Sequence, residues 1–278
     1  MTSTRPSARV RHAAAGLVLL AAAPLAACGD DDNTADAGSR RPQVTFTADD
    51  TSIDAPAEIP SGLVDVTLKT APGEVGHHIF VARLDDNVTF EEAMDDDDSF
   101  FTSMTIKGGN GTVAAGEQVS MTLDLGPGNY FVLDNPQNET SPTDQFVVVD
   151  SDESRAEPDA KGTVRLHPGM RIELPEDFDG RGVWKFVNVD PDEVHEAAMV
   201  KLAAGATSQD LVDWFHDPQG PPPIEGEFGS MGALGPGQQA WMTLEPGEPG
   251  RYVAVCFIPG RDGIPHLAKG MLVEFEVD

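Results

Sequence analysis

The chain repeats itself, and each copy carries the period of β-strands. Gly73–Leu84, GEVGHHIFVARL, aligns with Asp192–Leu202, DEVHEAAMVKL, once Gly76 is treated as an insertion. Gly116–Asp134, GEQVSMTLDLGPGNYFVLD, aligns with Gly237–Cys256, GQQAWMTLEPGEPGRYVAVC, with one extra residue in the second copy. The alignment sets His77 opposite His195, His78 opposite Glu196, Thr89 opposite Thr207 and Asp134 opposite Cys256. A repeat of roughly 110–120 residues is domain-sized and indicates duplication, not a solenoid.

Within each copy, short runs alternate apolar and polar residues between Gly, Pro and Asp turns. The first copy has VTFTAD, LVDVTLKT, HIFVARL, VSMTLDL, NYFVLD and QFVVVD; the second has TVRLH, VWKFVNV, AAMVKL, AWMTLEP, RYVAVCF and LVEFEV. This pattern predicts an all-β sandwich or barrel. FEEAM after Thr89 and SQDLVDWF after Thr207 predict one or two helical turns at equivalent places. The acidic, Pro-containing stretch at 151–160 reads as a linker between a first β domain, 42–150, and a second, 161–278.

The N-terminus has a different character. Arg5, Arg9 and Arg11 precede an apolar run from Ala13 to Ala23, followed by Leu25-Ala26-Ala27-Cys28. These are the parts of a secretory signal over 1–27, and the apolar run falls short of the roughly 20 residues that span a bilayer. The last four residues resemble the lipobox of bacterial lipoproteins. The resemblance implies cleavage before Cys28, lipidation of its sulfur, and an exported chain held on the outer face of the cell membrane by a flexible tether over 28–41.

The formal net charge is −29, and removing the three signal arginines takes it to −32. Nucleic acid needs a basic footprint and is excluded as a partner. Electrostatic docking on anionic lipid is excluded too, so membrane attachment falls to the anchor. The runs Asp30–Asp32 and Asp95–Asp98 read as solvated loops, since neither has the spaced ligands of an EF-hand.

With Cys28 lipidated, Cys256 has no partner. An odd cysteine in an exported chain is either a buried apolar residue or a reactive or metal-binding thiol. His266 and Met271 follow it, and His195 begins an apolar run. Two imidazoles, a thiolate and a thioether form a blue-copper ligand set. The Tyr252-to-Cys256 strand, the step of five from His266 to Met271, Gly270-Met271 and the closing LVEFEV resemble the cupredoxins, plastocyanin-like β-sandwiches. The resemblance implies two tandem cupredoxin-like Greek-key sandwiches, with copper bound in the second by His195, Cys256, His266 and Met271. The first copy carries Asp134 where the second has Cys256, and NPQNETSPTDQFVVVD follows it without His or Met.

The chain departs from the family pattern in one place. Nine residues, FIPGRDGIP, separate Cys256 from His266, a longer span than is usual in the family. Cys256 is flanked by Val255 and Phe257, and no His-x-His pair is present, unlike in two-domain copper enzymes. The expectation is therefore a non-enzymatic carrier or copper-handling protein that meets a redox or copper-transfer partner, with His266 near the surface as the route for electrons. A metal-free binding module with Cys256 in the core, and a zinc site on the same residues, stand as alternatives. A Cys256/His266 nucleophilic pair has no oxyanion-loop signal beside it, and His167 and His216 take no role. Trp184, Trp214 and Trp241 read as core or interface residues.

Overall fold

A computed structural model describes residues 40–278 apart from 96–101, 135–140, 154 and 246. The signal segment, Cys28, nearly all of the tether and most of the Asp95–Asp98 run lie outside the described residues. Among the described residues, no helix is long and apolar enough to cross a membrane.

The first half supplies β1 (Gln43–Asp49), β2 (Ser52–Asp54), β3 (Glu58–Pro60), β4 (Gly62–Thr70), β5 (Ile79–Leu84), helix α1 (Phe90–Asp95), β6 (Met104–Gly109), β7 (Gln118–Leu125), β8 (Gly128–Asp134) and β9 (Thr143–Val149). The second half supplies β10 (Thr163–His167), β11 (Arg171–Glu173), β12 (Gly182–Asn188), β13 (His195–Leu202), helix α2 (Ser208–His216), β14 (Ile224–Glu227), β15 (Met231–Leu234), β16 (Gln239–Leu244), β17 (Gly250–Val255) and β18 (Leu272–Val277). A 3₁₀ turn, His266–Lys269, precedes β18. The fold is all-β, and its halves repeat one plan. β1 runs parallel to β4 and β10 parallel to β12, while β4 pairs with β7 and β12 with β16, both antiparallel. The equivalent helices carry equivalent caps: Thr89 and Glu92 bond reciprocally, as do Thr207 and Asp210.

The halves are joined by backbone. β7 and β16 pair antiparallel, Leu123 opposite Ala240 and Met121 opposite Met242, fusing two four-stranded half-sheets into one sheet ordered β11-β10-β12-β16-β7-β4-β1-β2. Each half adds a sheet of its own, β3-β9-β8-β5-β6 and β14-β13-β17-β18, the latter with β15 against β13. Period-2 alternation turns Phe46, Val66, Leu123, Trp184, Phe186 and Met242 into one continuous core between the sheets. The described residues from 40 to 278 accordingly belong to one compact unit. The stretch read as a linker is docked: the Arg155 guanidinium donates to Ser61 O, Arg41 donates to Ala156 O (2.9 Å), and Lys185 Nζ donates to Glu157 (3.0 Å).

Six strands escape the sequence pattern. β2, β3 and β11 are three residues long. β14 is largely exposed, and β6 and β15 are short, small-residue strands that meet at the seam, where Gly235 N donates to Ile106 O (2.9 Å). Burial along its whole length erases alternation in β15, while β6 alternates only over 104–107 before two glycines.

Because the shared sheet couples the halves, heating is expected to give one calorimetric transition. Leu123→Ala, at the seam, lowers the stability of the whole unit by about 2–5 kcal/mol without splitting that transition. Two resolved transitions would show that the seam does not couple the halves.

Candidate metal centre

Strand parity aims the key side chains. Along β13, Ala197 and Met199 face the inter-sheet core, whereas Ala198, Val200 and Leu202 face the opposite side under α2. His195 shares the parity of Ala197 and points inward. Along β17, Ala254 faces the same core while Val253 and Val255 face away, so Cys256, one residue past the strand end, also points inward. The pairing of Ala198 with Val255 brings these ends together. The loop after Cys256 returns to it by main-chain bonds: Leu267 N donates to Cys256 O (2.8 Å) and Cys256 N to Met271 O (3.1 Å).

His195, Cys256 and His266 are all fully buried, with ligand atoms within 4.8 Å of one another. His195 Nδ1 lies 3.1 Å from His266 Nδ1, which lies 3.4 Å from Cys256 Sγ. The main-chain N–H of Glu196 donates to Sγ (3.4 Å). The nine-residue excursion thus returns His266 to Cys256. Met271 is fully buried in the same apolar cluster as Cys256, and its N–H donates to His266 O (3.0 Å).

The turn before β13 supplies acid to both imidazoles. Asp190 Oδ2 lies 3.1 Å from His195 Nε2, and Glu193 Oε2 lies 3.7 Å from His266 Nε2. Asp190 is itself held by the N–H groups of Asp192 (2.8 Å) and Glu193 (3.1 Å), while Asn188 Nδ2 donates to Glu193 O (2.9 Å). Carboxylates behind imidazoles fix the tautomer and ring orientation of metal-ligating histidines. Burial pushes the His195 imidazole below its ordinary value, with Asp190 opposing; burial and the facing His195 push His266 down to about 4. Both rings are then neutral near pH 7. With the His195 Nε2–H donated to Asp190, its Nδ1 turns a lone pair inward, and two inward lone pairs 3.1 Å apart repel unless a cation or proton lies between them. Burial raises the Cys256 thiol far above its ordinary value, a cost that a bound cation would remove by holding the thiolate. The donor set therefore fits a soft or borderline metal ion.

One expectation fails. His266 does not lie at the surface. Within the span 257–265, Gly260 drops inward until a Cβ added there would stand 3.2 Å from His266 Nε2. The extra length that separates Cys256 from His266 is spent covering the histidine.

The first copy shows the same frame with different chemistry. Ile79 pairs with Asp134, as the register of the second copy sets Ala197 beside Cys256. His78 N donates to Asp134 Oδ1 (3.1 Å), matching Glu196 N on Sγ. His77 Nδ1 contacts Asp134 Oδ2 directly at 2.6 Å, both side chains fully buried. A carboxylate–imidazole pair thus occupies the place of thiolate, metal and imidazole. Burial raises the Asp134 carboxyl above its ordinary value, outweighing the pull of His77.

Sequence reading passed over Asp190, Glu193 and Glu196. Acids are common in this chain, and the available signal was their spacing of one to five residues from His195. Glu196 is buried on the outer side of β13, where its Oε1 accepts from Phe257 N (2.6 Å), and burial pushes its carboxyl up to about 7. His167 pairs with Glu173 (3.1 Å), and Trp184 and Trp241 are core.

The fold is an all-β sandwich in two fused copies that resembles the cupredoxins, with a buried His–Cys–His group in the second copy. No family model and no curated protein matches the chain. Among solved structures, an auracyanin from Roseiflexus castenholzii is 21% identical, with TM-score 0.30, covering 42% of this chain and 95% of its own. Auracyanin A, a "blue" copper protein from Chloroflexus aurantiacus, is 16% identical (TM-score 0.27; 38% and 99% covered). A copper nitrite reductase from Nitrosomonas europaea is 15% identical (TM-score 0.25; 86% and 94% covered). Such values assign neither a ligand nor an activity to this chain.

Two outcomes are expected. Asp134→Ala leaves His77 Nδ1 without its buried partner and lowers stability by about 1–3 kcal/mol in urea unfolding. For metal-free protein, Glu196 has a folded value near 7 against an ordinary 4.5. Its contribution is fully present below the unfolded value and is lost as pH rises through about 7, by roughly 3 kcal/mol. Glu196→Gln removes this slope, as denaturant midpoints measured between pH 5 and 8 will show.

Proposed function

We propose that the protein is an exported, lipid-anchored copper protein that carries electrons or handles copper outside the cytoplasm. The observation that carries this reading is the convergence of His195, Cys256 and His266, from two strand ends and a loop, into one buried donor set within 4.8 Å. Copper bound there would supply one-electron exchange. His195 and His266 would present Nδ1, Cys256 its thiolate and Met271 a weak thioether. The Glu196 N–H would support the sulfur, and the Asp190 carboxylate would hold the His195 ring. Burial would exclude water and external ligands and limit reorganisation between oxidation states.

The signal-like segment and Cys28 support export and attachment at the outer face of the cell membrane. The strongly acidic surface suits steering towards a basic redox or copper-transfer protein, with no role for nucleic acid. Cys256 stands between Val255 and Phe257, with no neighbouring histidine to pass electrons to a second centre, which supports a carrier rather than an enzyme.

Adding Cu(II) to purified protein is expected to produce an intense visible thiolate-to-copper band that is absent in Cys256→Ser. Asp190→Ala lowers copper affinity by about 10–100-fold, measured by competition with a chelator. Tight stoichiometric Zn(II) binding without a Cu(II) band would favour a structural zinc site, and no binding of either would favour a metal-free module.

A further inference from the structure

All three converging side chains are fully buried, so nothing reaches them unless part of the chain moves. β13 and β17 are poor candidates for that movement, since β13 is laddered to β14, β15 and β17, and β17 also to β18. The span 257–265 is different. It is a small hairpin closed on itself, with Pro259 bridged to Pro265, Gly260 N donating to Ile264 O (3.0 Å) and Gly263 N to Gly260 O (2.8 Å). Its base is anchored: Ile258 packs against two apolar clusters, one built largely by the first half, and Ile258 O accepts from His266 N (3.0 Å). Its tip, Arg261–Ile264, is exposed. Two side-chain contacts tie the tip down: Asp262 Oδ1 accepts from Lys269 Nζ (2.6 Å), and Arg261 Nη2 reaches Asp192 O at 3.5 Å. Between base and tip, Gly260 is buried directly over His266 Nε2, an atom without a hydrogen-bond partner. A well-anchored base, a lightly held tip and a buried plug are the features of a segment that opens locally without global unfolding.

We propose that the 257–265 hairpin is a lid over the metal centre, latched by Asp262–Lys269 and Arg261–Asp192, which controls the entry of metal ions and small thiol reagents to His266 and Cys256. Lifting the tip withdraws Gly260 and uncovers the His266 ring first, since that ring lies between the hairpin and Cys256. The metal-entry part rests on the copper reading above; the access part does not. The first half of the molecule also gains a role, because it forms much of the surface on which the base of the lid is fixed.

The test uses the full chain carrying Cys28→Ser, so that Cys256 is the sole thiol, with and without Arg261→Ala plus Asp262→Ala. Both substituted positions are exposed, and neither belongs to the donor set. Two rates are read under native conditions: reaction of metal-free Cys256 with an aromatic disulfide, and growth of the Cu(II) band in stopped flow. Opening the latch is expected to raise both by roughly threefold to tenfold, the scale of losing two exposed polar contacts, while the final band stays unchanged and the thiol rate stays nearly independent of sub-denaturing urea, as local opening exposes little surface. A faster thiol reaction with no copper band in either protein would uphold the lid and sink the copper reading. Unchanged thiol reactivity, or a rate that climbs with sub-denaturing urea as steeply as global unfolding does, would overturn the lid.

Discussion

The antiparallel pairing of β13 with β17 governs the site. Ala198 lies opposite Val255, so the next inward positions, His195 at one strand end and Cys256 past the other, face the same core. A slip of one residue would turn Cys256 to the opposite face and leave the histidines without sulfur. The register is fixed by burial: Met199 and Ala254 belong to the inter-sheet core, Val200 and Val253 to the cluster under α2. Hydrophobic patterning thus places a polar donor set inside an apolar core, and the main-chain N–H of Glu196 donates to the sulfur.

Duplication lets the same frame be seen under two chemistries. In both copies, the main-chain N–H beside the conserved-parity histidine donates to the residue ending the partner strand. Where that residue is Asp134, the histidine closes on it at 2.6 Å and the position is satisfied internally. Where it is Cys256, a neutral thiol is a weak partner, and the site is left with two facing imidazole nitrogens and a sulfur. The exchange of Asp134 for Cys256, with His266 and Met271 following only in the second copy, therefore separates an internally satisfied carboxylate–imidazole pair from a candidate metal-ligand set. The fused sheet through β7 and β16, together with the packing of Ile258, sets the first copy against the second as a support for its site.

Much of the architecture was legible in the sequence. Alternation in LVDVTLKT survives because that strand buries one face more than the other, whereas RYVAVCF is buried on both faces and was legible through its match to NYFVLD in the first copy. MGAL gave no signal because it is short, rich in small residues and buried along its length, and MTIKGG was passed over because its alternation stops at two glycines. His195, Cys256, His266 and Met271 stood out as residue types in a familiar order. Asp190 and Glu193 did not, since in a chain of net charge −29 an acid near a histidine is unremarkable until its distance is known.

What the sequence determined by itself is local and periodic: strands of period two, caps at Thr89 and Thr207, the duplication, and the exchange of Asp134 for Cys256. These depend on neighbours in the chain or on a copy with which to compare them. Tertiary structure decided what depends on distant groups meeting. It joined the halves through β7 and β16, brought His266 back to Cys256 across nine residues, and set one turn's carboxylates behind both imidazoles. It also buried His266 beneath Gly260. Nothing in FIPGRDGIP states whether those residues lead the histidine outward or cover it, because that is settled by where Ile258 finds apolar surface and where Asp262 finds Lys269.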